Sequence, residues 1–285
     1  MTAEDSLRRT EELLDRLEQA RAELAQLAES ESEDAPDRAI EVLSELAESR
    51  AQAQSLVLAG RVPGFDKPGT QVDEKADVSV EEGPRFVSRG GEKLANALEG
   101  LEIDVAGQDC LDVGASTGGF TDCLLQRGAA RVIAVDVGYG QLHARIHEDP
   151  RVTVLERVNV RRLTELPFPP ELITCDVSFI SLRKALPPAL ALAAPGWQAL
   201  ALVKPQFEAA RTEAPKGVVR DPEVRRRVLR EIAVAALGWG AETAGVVDSG
   251  LPGPKGNREF FLHLRQRENP ALHDDIDTWI DEAIR

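Results

Sequence analysis

One stretch near the middle of the chain restricts its fold more than any other. Residues 111–120, LDVGASTGGF, run from an apolar segment through Gly114 and the small residues Ala115, Ser116 and Thr117 to Gly118-Gly119, where a helical pattern opens. Glycines let a backbone pass close to a ligand without a Cβ clash, and the N–H groups of a helix start face the same space. The next apolar run, RVIAVD, ends in Asp136, 22 residues after Gly114. A carboxylate at that place can accept hydrogen bonds from both hydroxyls of a ribose. Ser116 stands where a dinucleotide fingerprint has its second glycine, so the close approach needed by a pyrophosphate is missing. The loop therefore favours a nucleoside donor without phosphate, S-adenosylmethionine, over a dinucleotide. Asp112 and Phe120 flank the loop and are counted with this cofactor set. Asn159 follows the third strand, at the edge that faces an adenine in a doubly wound sheet.

Around this loop, apolar strand-like runs alternate with helical patterns. The expected strands are 109–113, 131–136, 152–156, 172–176, 199–203, 243–247 and 259–264, and the expected helices lie around 92–99, 118–127, 182–193 and 222–237. Such alternation indicates an α/β fold, a doubly wound and mostly parallel sheet covered on both faces. The last two strands follow each other across DSGLPGPKGNRE without a helix, which makes one strand antiparallel.

Four ionisable residues occupy places that folding alone does not favour. Asp176 closes the apolar run LITC, and Lys204 closes ALALV ahead of a proline. Both fall at the C-terminal edge of the sheet, where ligands bind in this architecture. Glu259 opens EFFLHL, and an antiparallel strand starting there begins at the same edge. Lys93 follows SRGGE in the first turn of a helix, against the helix dipole. A charged strand end is usually only solvated. Four together beside the cofactor loop make a lysine-aspartate-lysine-glutamate set.

The segments RFVSRGGEKL, LDVGASTGGFTDCLLQRGAARVIAVDVGYGQL, DVSFISL, LVKPQFE, KGVVRDP and LPGPKGNREFFLHL, with ESRAQAQSLVLAGRV and DKPGTQV before them, resemble the TlyA (haemolysin A) family of ribosomal RNA methyltransferases. The likeness runs from about Ala47 to Leu264. It implies a catalytic domain like that of FtsJ, S-adenosylmethionine as methyl donor, and ribose 2′-O methylation by a Lys-Asp-Lys-Glu tetrad. The matching positions are Lys93, Asp176, Lys204 and Glu259 for the tetrad, and Gly114, Ser116, Thr117, Gly118 and Asp136 for the cofactor. Lys204 is then expected at the 2′-oxygen, held by Asp176 and Glu259, with Lys93 orienting the hydroxyl. The partner implied is RNA, ribosomal RNA or a ribosomal subunit.

The resemblance also implies a small RNA-binding module of ribosomal-protein type at 38–84. Its hairpin is shortened here to PGF, and an acidic helical extension with a linker, residues 1–37, stands before it. The catalytic domain is expected over 85–268 and a helical tail over 269–285. Net charge is −15, which is unusual for a chain that meets RNA. The charge is unevenly spread: residues 1–84 hold 21 acidic and 9 basic side chains, the remainder 28 and 25. The catalytic segment is thus nearly neutral, with room for a basic patch. Arg85, Arg89, Lys216, Arg220, Arg225, Arg226 and Arg227 are its candidate phosphate contacts.

No zinc spacing links Cys110, Cys123 and Cys175, which read as buried free thiols, and no metal site is expected. The N-terminal residues hold no apolar stretch of signal-peptide type and no run approaches the roughly 20 residues that span a bilayer, so the expected compartment is the cytoplasm. Two rival readings remain: a methyltransferase of the same fold acting on a small molecule or protein, and a non-catalytic RNA-binding or haemolysin-like protein.

Overall fold

The computed structural model describes residues 84–285, together with the isolated positions Val57 and Val62. The chain divides into two units, Met1–Gly83 and Pro84–Arg285. The expectations for the acidic extension at 1–37 and the small module at 38–84 lie outside the described residues, apart from these two positions and the module's last residue.

The second unit is built on seven strands: β1 (Asp109–Val113), β2 (Arg131–Val135), β3 (Val152–Leu155), β4 (Leu172–Cys175), β5 (Gln198–Val203), β6 (Ala241–Asp248) and β7 (Phe260–Gln266). They form one sheet in the order β3-β2-β1-β4-β5-β7-β6. All neighbours pair in parallel except that β7 runs antiparallel to both β5 and β6. This is the mostly parallel sheet with one antiparallel strand that the chain pattern implied. Each expected strand is present, with ends shifted by at most two residues.

The strands read as apolar runs because both faces are covered. On one face lie α1 (Arg89–Gly100) and α2 (Gly119–Gln126), with Leu94, Leu98 and Leu124 packed on Val132, Leu200 and Phe261. On the other lie α4 (Leu182–Leu190), α6 (Pro222–Leu237) and α7 (Ile276–Ile284), after the short helices α3 (Ala144–His147) and α5 (Pro205–Glu208). Leu186, Ile232 and Ile280 there meet Leu111, Ile133 and Leu262. Within β5, Ala199, Ala201 and Val203 face one layer while Leu200 and Leu202 face the other, the period of two expected of a strand.

The C-terminal stretch is less detached than a tail. Ile276, Ile280 and Ile284 of α7 are buried in the main core. Arg258 donates to the carbonyls of Ala283 (2.8 Å) and Ile284 (2.5 Å), satisfying the end of that helix. The second unit accordingly extends to Arg285.

Strand order reverses between β1 and β4, and a crevice for ligands opens there beyond the strands' C-terminal ends. Register decides what meets at that edge. Val113 pairs with Cys175, and Cys175 with Ala201, so Gly114 and Asp176 leave adjacent strands side by side. Val203 pairs with Phe260, which sets Lys204 beside Glu259 on antiparallel neighbours.

Candidate active site

The glycine loop is shaped by contacts that tolerate no side chain. Gly114 has φ +88°, and a Cβ there would lie 2.4 Å from the Asp176 carbonyl oxygen. Gly118, at φ +92°, precedes α2, and a Cβ on it would come within 2.9 Å of Leu142. Between them the Ser116 N–H donates to Asp136 Oδ2 (2.8 Å), while Asp136 Oδ1 accepts from the Gly138 N–H (2.6 Å). The strand-end carboxylate thus ties two loops together at the crevice.

Asp112 behaves differently from the expectation that it touches the cofactor. It is fully buried beneath the loop, accepting from the hydroxyls of Thr121 (2.7 Å) and Thr174 (3.2 Å), and lines neither cavity at the edge. Burial, with a smaller contribution from Asp176, pushes its carboxyl up to about 7. Its role is to fasten β1 to α2 and β4. Gly118 likewise lines neither cavity.

Two cavities meet at the sheet edge. The larger, about 1290 Å³, is lined by Gly114, Ser116, Asp136, Asn159 and Asp176, with Val135 and Val158 among its apolar walls. The smaller, about 280 Å³, is lined by Lys93, Thr117, Phe120, Asp176, Lys204 and Glu259. Gly114, Ser116 and Asp176 belong to both. All four tetrad residues therefore face one space that opens onto the glycine loop.

The tetrad is organised as two ion pairs. Lys93 Nζ donates to Glu259 Oε2 at 2.6 Å, and the second pair joins Lys204 Nζ to Asp176 Oδ1. Glu259 is thus the partner of Lys93 rather than of Lys204, because β7 leads Glu259 back toward α1. Glu259 is fully buried and Lys93 nearly so, whereas 23% of the Asp176 side chain is exposed. Lys204 Nζ also donates to Ser178 Oγ at 3.0 Å.

Two residues of the site were not singled out from the sequence. Gln206 Nε2 donates to Glu259 Oε1 (3.3 Å), so the turn that carries Lys204 is also linked to the buried pair. Phe179 projects from the loop after β4 with 91% of its surface exposed, at φ +63°, its ring centroid 5.1 Å from that of Phe207. An aromatic in DVSFIS, where a solvent-facing turn needs none, was the available signal.

The other candidates divide. Asn159 lines the larger cavity, but its Oδ1 already accepts from the Arg161 N–H (3.1 Å). Phe120 packs against Phe261, with centroids 5.8 Å apart. Arg89 lines the smaller cavity and donates to the Pro252 carbonyl (3.0 Å). Arg85 lies over the Phe86 ring, and Lys216 and Arg220 are exposed. The arginine run of α6 is committed within the domain: Arg225 donates to the Val219 carbonyl, Arg226 pairs with Asp281, and Arg227 with Glu213 and Glu231. Those carboxylates compete with any phosphate for the run.

The three cysteines are free and buried, and burial pushes the thiols of Cys110 and Cys123 up to about 12, which keeps them unreactive. Among the described residues, no group of three or more His, Cys, Asp or Glu is disposed to hold a metal ion, and no helix is long and apolar enough to cross a membrane.

The donor set suits a nucleoside. A strand-end carboxylate, a glycine whose Cβ position is closed, and an apolar wall at Val135 and Val158 line one cavity, the mix of apolar surface and a few placed polar groups that small-molecule sites use. Residues 86–266 match the FtsJ-like methyltransferase family. The chain is 47% identical over 236 residues to the 16S/23S rRNA (cytidine-2′-O)-methyltransferase TlyA of Mycobacterium tuberculosis, covering 80% of this chain and 88% of the relative. It is 38% identical to hemolysin A of Brachyspira hyodysenteriae, covering 76% and 94%. Among solved structures, one from Streptococcus thermophilus described as a hemolysin superposes with a TM-score of 0.68 at 38% identity, covering 86% of this chain and 94% of that one. The sheet order, the glycine loop, the converging tetrad and these similarities together show that the chain belongs to the FtsJ-like methyltransferases, within the TlyA family.

Proposed function

We propose that this domain methylates a ribose 2′-hydroxyl of RNA, with ribosomal RNA as substrate and S-adenosylmethionine as donor. The observation that carries the reading is the Lys204–Asp176 ion pair, whose carboxylate lines both cavities. The relative from Mycobacterium tuberculosis is named for the same reaction on rRNA cytidines. Such a substrate puts the enzyme in the cytoplasm.

When bound, S-adenosylmethionine supplies an electrophilic methyl group on a positively charged sulfur. Gly114, Ser116, Asp136 and Asn159 would hold it in the larger cavity, the Asp136 carboxylate accepting from ribose hydroxyls. A ribose hydroxyl is a weak nucleophile at neutral pH, so its O–H bond must be weakened as the oxygen attacks, the proton passing to solvent. Lys204 contacts that oxygen and stabilises the negative charge that builds on it. Asp176 holds the amine in place. Lys93 and Glu259, buried against each other, fix the wall of the acceptor cavity. Displacement at carbon is in line, so holding the oxygen on axis supplies much of the acceleration. Phe179 offers a flat face on which a base stacks.

The test uses purified protein, S-adenosylmethionine with a tritiated methyl group, and ribosomal RNA from cells lacking the gene. The expected product is an alkali-resistant dinucleotide labelled on its ribose. Label confined to bases, protein or small molecules would refute the reading.

A further inference from the structure

The tripeptide Pro-Lys-Gly occurs twice, at 215–217 and 254–256, and folds the same way each time. Both copies form a 3-10 turn whose lysine sits in the left-handed region, Lys216 at φ 56°, ψ 19° and Lys255 at φ 63°, ψ 13°. The following glycine has φ +79° in each. Glycine or asparagine would occupy either lysine position with less strain. The backbone therefore gives no reason for lysine, and its side chain must supply one.

The two turns are stitched together. Asn257, 2% exposed, accepts from the Val219 N–H (3.0 Å) and donates to the Gly217 carbonyl (2.9 Å), while its own carbonyl accepts from the Gly253 N–H (2.8 Å). A Cβ on Gly217 would lie 3.7 Å from Lys255 Nζ, so that ammonium rests over the other turn. Both lysines are exposed. Among the described residues neither has a carboxylate partner, whereas Lys93 and Lys204 each have one. Pro252 and Gly253, just before the second turn, line the tetrad cavity with Glu259.

We propose that the paired turns form a clamp for one phosphodiester of an RNA strand beside the nucleotide that enters the tetrad cavity. Adjoining turns that each carry a lysine without a carboxylate partner leave positive charge at this edge, and an anion held there neutralises it. A phosphate is the anion that an RNA backbone presents at this edge. Lys255 thereby joins Lys216 in the RNA contact set, and the arginine run of α6 is not needed for it. The proposal rests on RNA being the substrate.

The test compares the full chain with Lys216→Gly, Lys255→Gly and the double variant, since glycine suits both backbone positions and preserves the fold. Filter binding of ribosomal RNA is measured across salt concentrations, alongside methyl transfer and calorimetric titration with S-adenosylmethionine. Each single variant is expected to weaken RNA binding several-fold. In the double variant the slope of log K against log salt should fall in magnitude by about one. Cofactor affinity should not change. Inorganic phosphate at constant ionic strength should compete with RNA on the wild type and not on the double variant. A double variant that binds RNA with the wild-type affinity and slope overturns the clamp, and so does a wild type that binds no RNA. Lysine-dependent RNA binding without methyl transfer keeps the clamp and removes the catalytic reading instead. Competition by phosphate with no loss of RNA affinity in the variants identifies a free-phosphate site and also overturns it.

Discussion

The Lys93 ammonium lies 2.6 Å from the Glu259 carboxylate although 166 positions separate them in the chain, and the pair is almost closed to solvent. Removing one partner strands a buried charge, at a cost of about 3–5 kcal/mol. Lys93→Met or Glu259→Gln should therefore lower denaturant-unfolding stability by roughly that amount. The double variant Lys93→Met/Glu259→Leu should recover most of the loss, yet remain poor in methyl transfer because the acceptor wall has changed. Single variants as stable as the wild type would show the pair to be solvated.

Gly114→Ala places a methyl group 2.4 Å from the Asp176 carbonyl oxygen, at a φ that alanine avoids. Loop and β4 must separate, which disturbs the cofactor and acceptor cavities together. Calorimetry should show S-adenosylmethionine affinity reduced by about 100-fold, on the order of 3 kcal/mol. Unchanged affinity would place the donor elsewhere.

Asp112 sets a pH dependence. Its carboxyl is raised from 3.8 to about 7 by burial first. The unfolded chain therefore ionises this group between about pH 4 and 7 while the folded domain keeps it protonated. Its contribution is most favourable below the unfolded value, declines across that window, and is constant above it. Asp112→Asn should remove the decline, so its advantage over the wild type grows from pH 4 to 7 toward a few kcal/mol and then levels, each pKa unit being worth about 1.4 kcal/mol. Thermal unfolding at a series of pH values measures this. A constant difference would mean that Asp112 is ionised throughout.

Phe179→Ala tests the stacking face. The ring is 91% exposed, so the melting temperature should scarcely move. Loss of one base–aromatic contact costs about 1–3 kcal/mol, so KM for RNA should rise by roughly tenfold or more. S-adenosylmethionine affinity should be nearly unaffected. A fall in donor affinity with unchanged KM for RNA would reassign the ring to the cofactor.

Much of this was legible in the residues alone. Buried parallel strands such as LITC and ALALV read as unbroken apolar runs, and a charge closing such a run, as at Asp176 and Lys204, stands out. Helix α6 runs over Pro222–Leu237, as its pattern implied, because Asp221 caps it ahead of a proline at the first position. Pairing within the tetrad was not legible. It depends on the register of β7 against β5, which sets Phe260 opposite Val203 and sends Glu259 toward Lys93. The arginine run misled for a related reason: Asp281, Glu213 and Glu231 are remote or unremarkable in sequence and adjacent in space. Asp112 looked like a ligand because it touches the loop, but its orientation alternates inward, onto Thr121 and Thr174.

The most direct measurement follows Lys204→Ala through two readouts on the same preparation, calorimetric binding of S-adenosylmethionine and ribose 2′-O methylation of ribosomal RNA. Donor binding is expected within a few-fold of wild type, because the residues that line the larger cavity are untouched. Methylation is expected to fall by at least 100-fold, the range for losing a group that steadies charge in the transition state. Methylation at the wild-type rate, with donor bound normally, would contradict the assignment of Lys204 to the attacking oxygen and with it the account of this site.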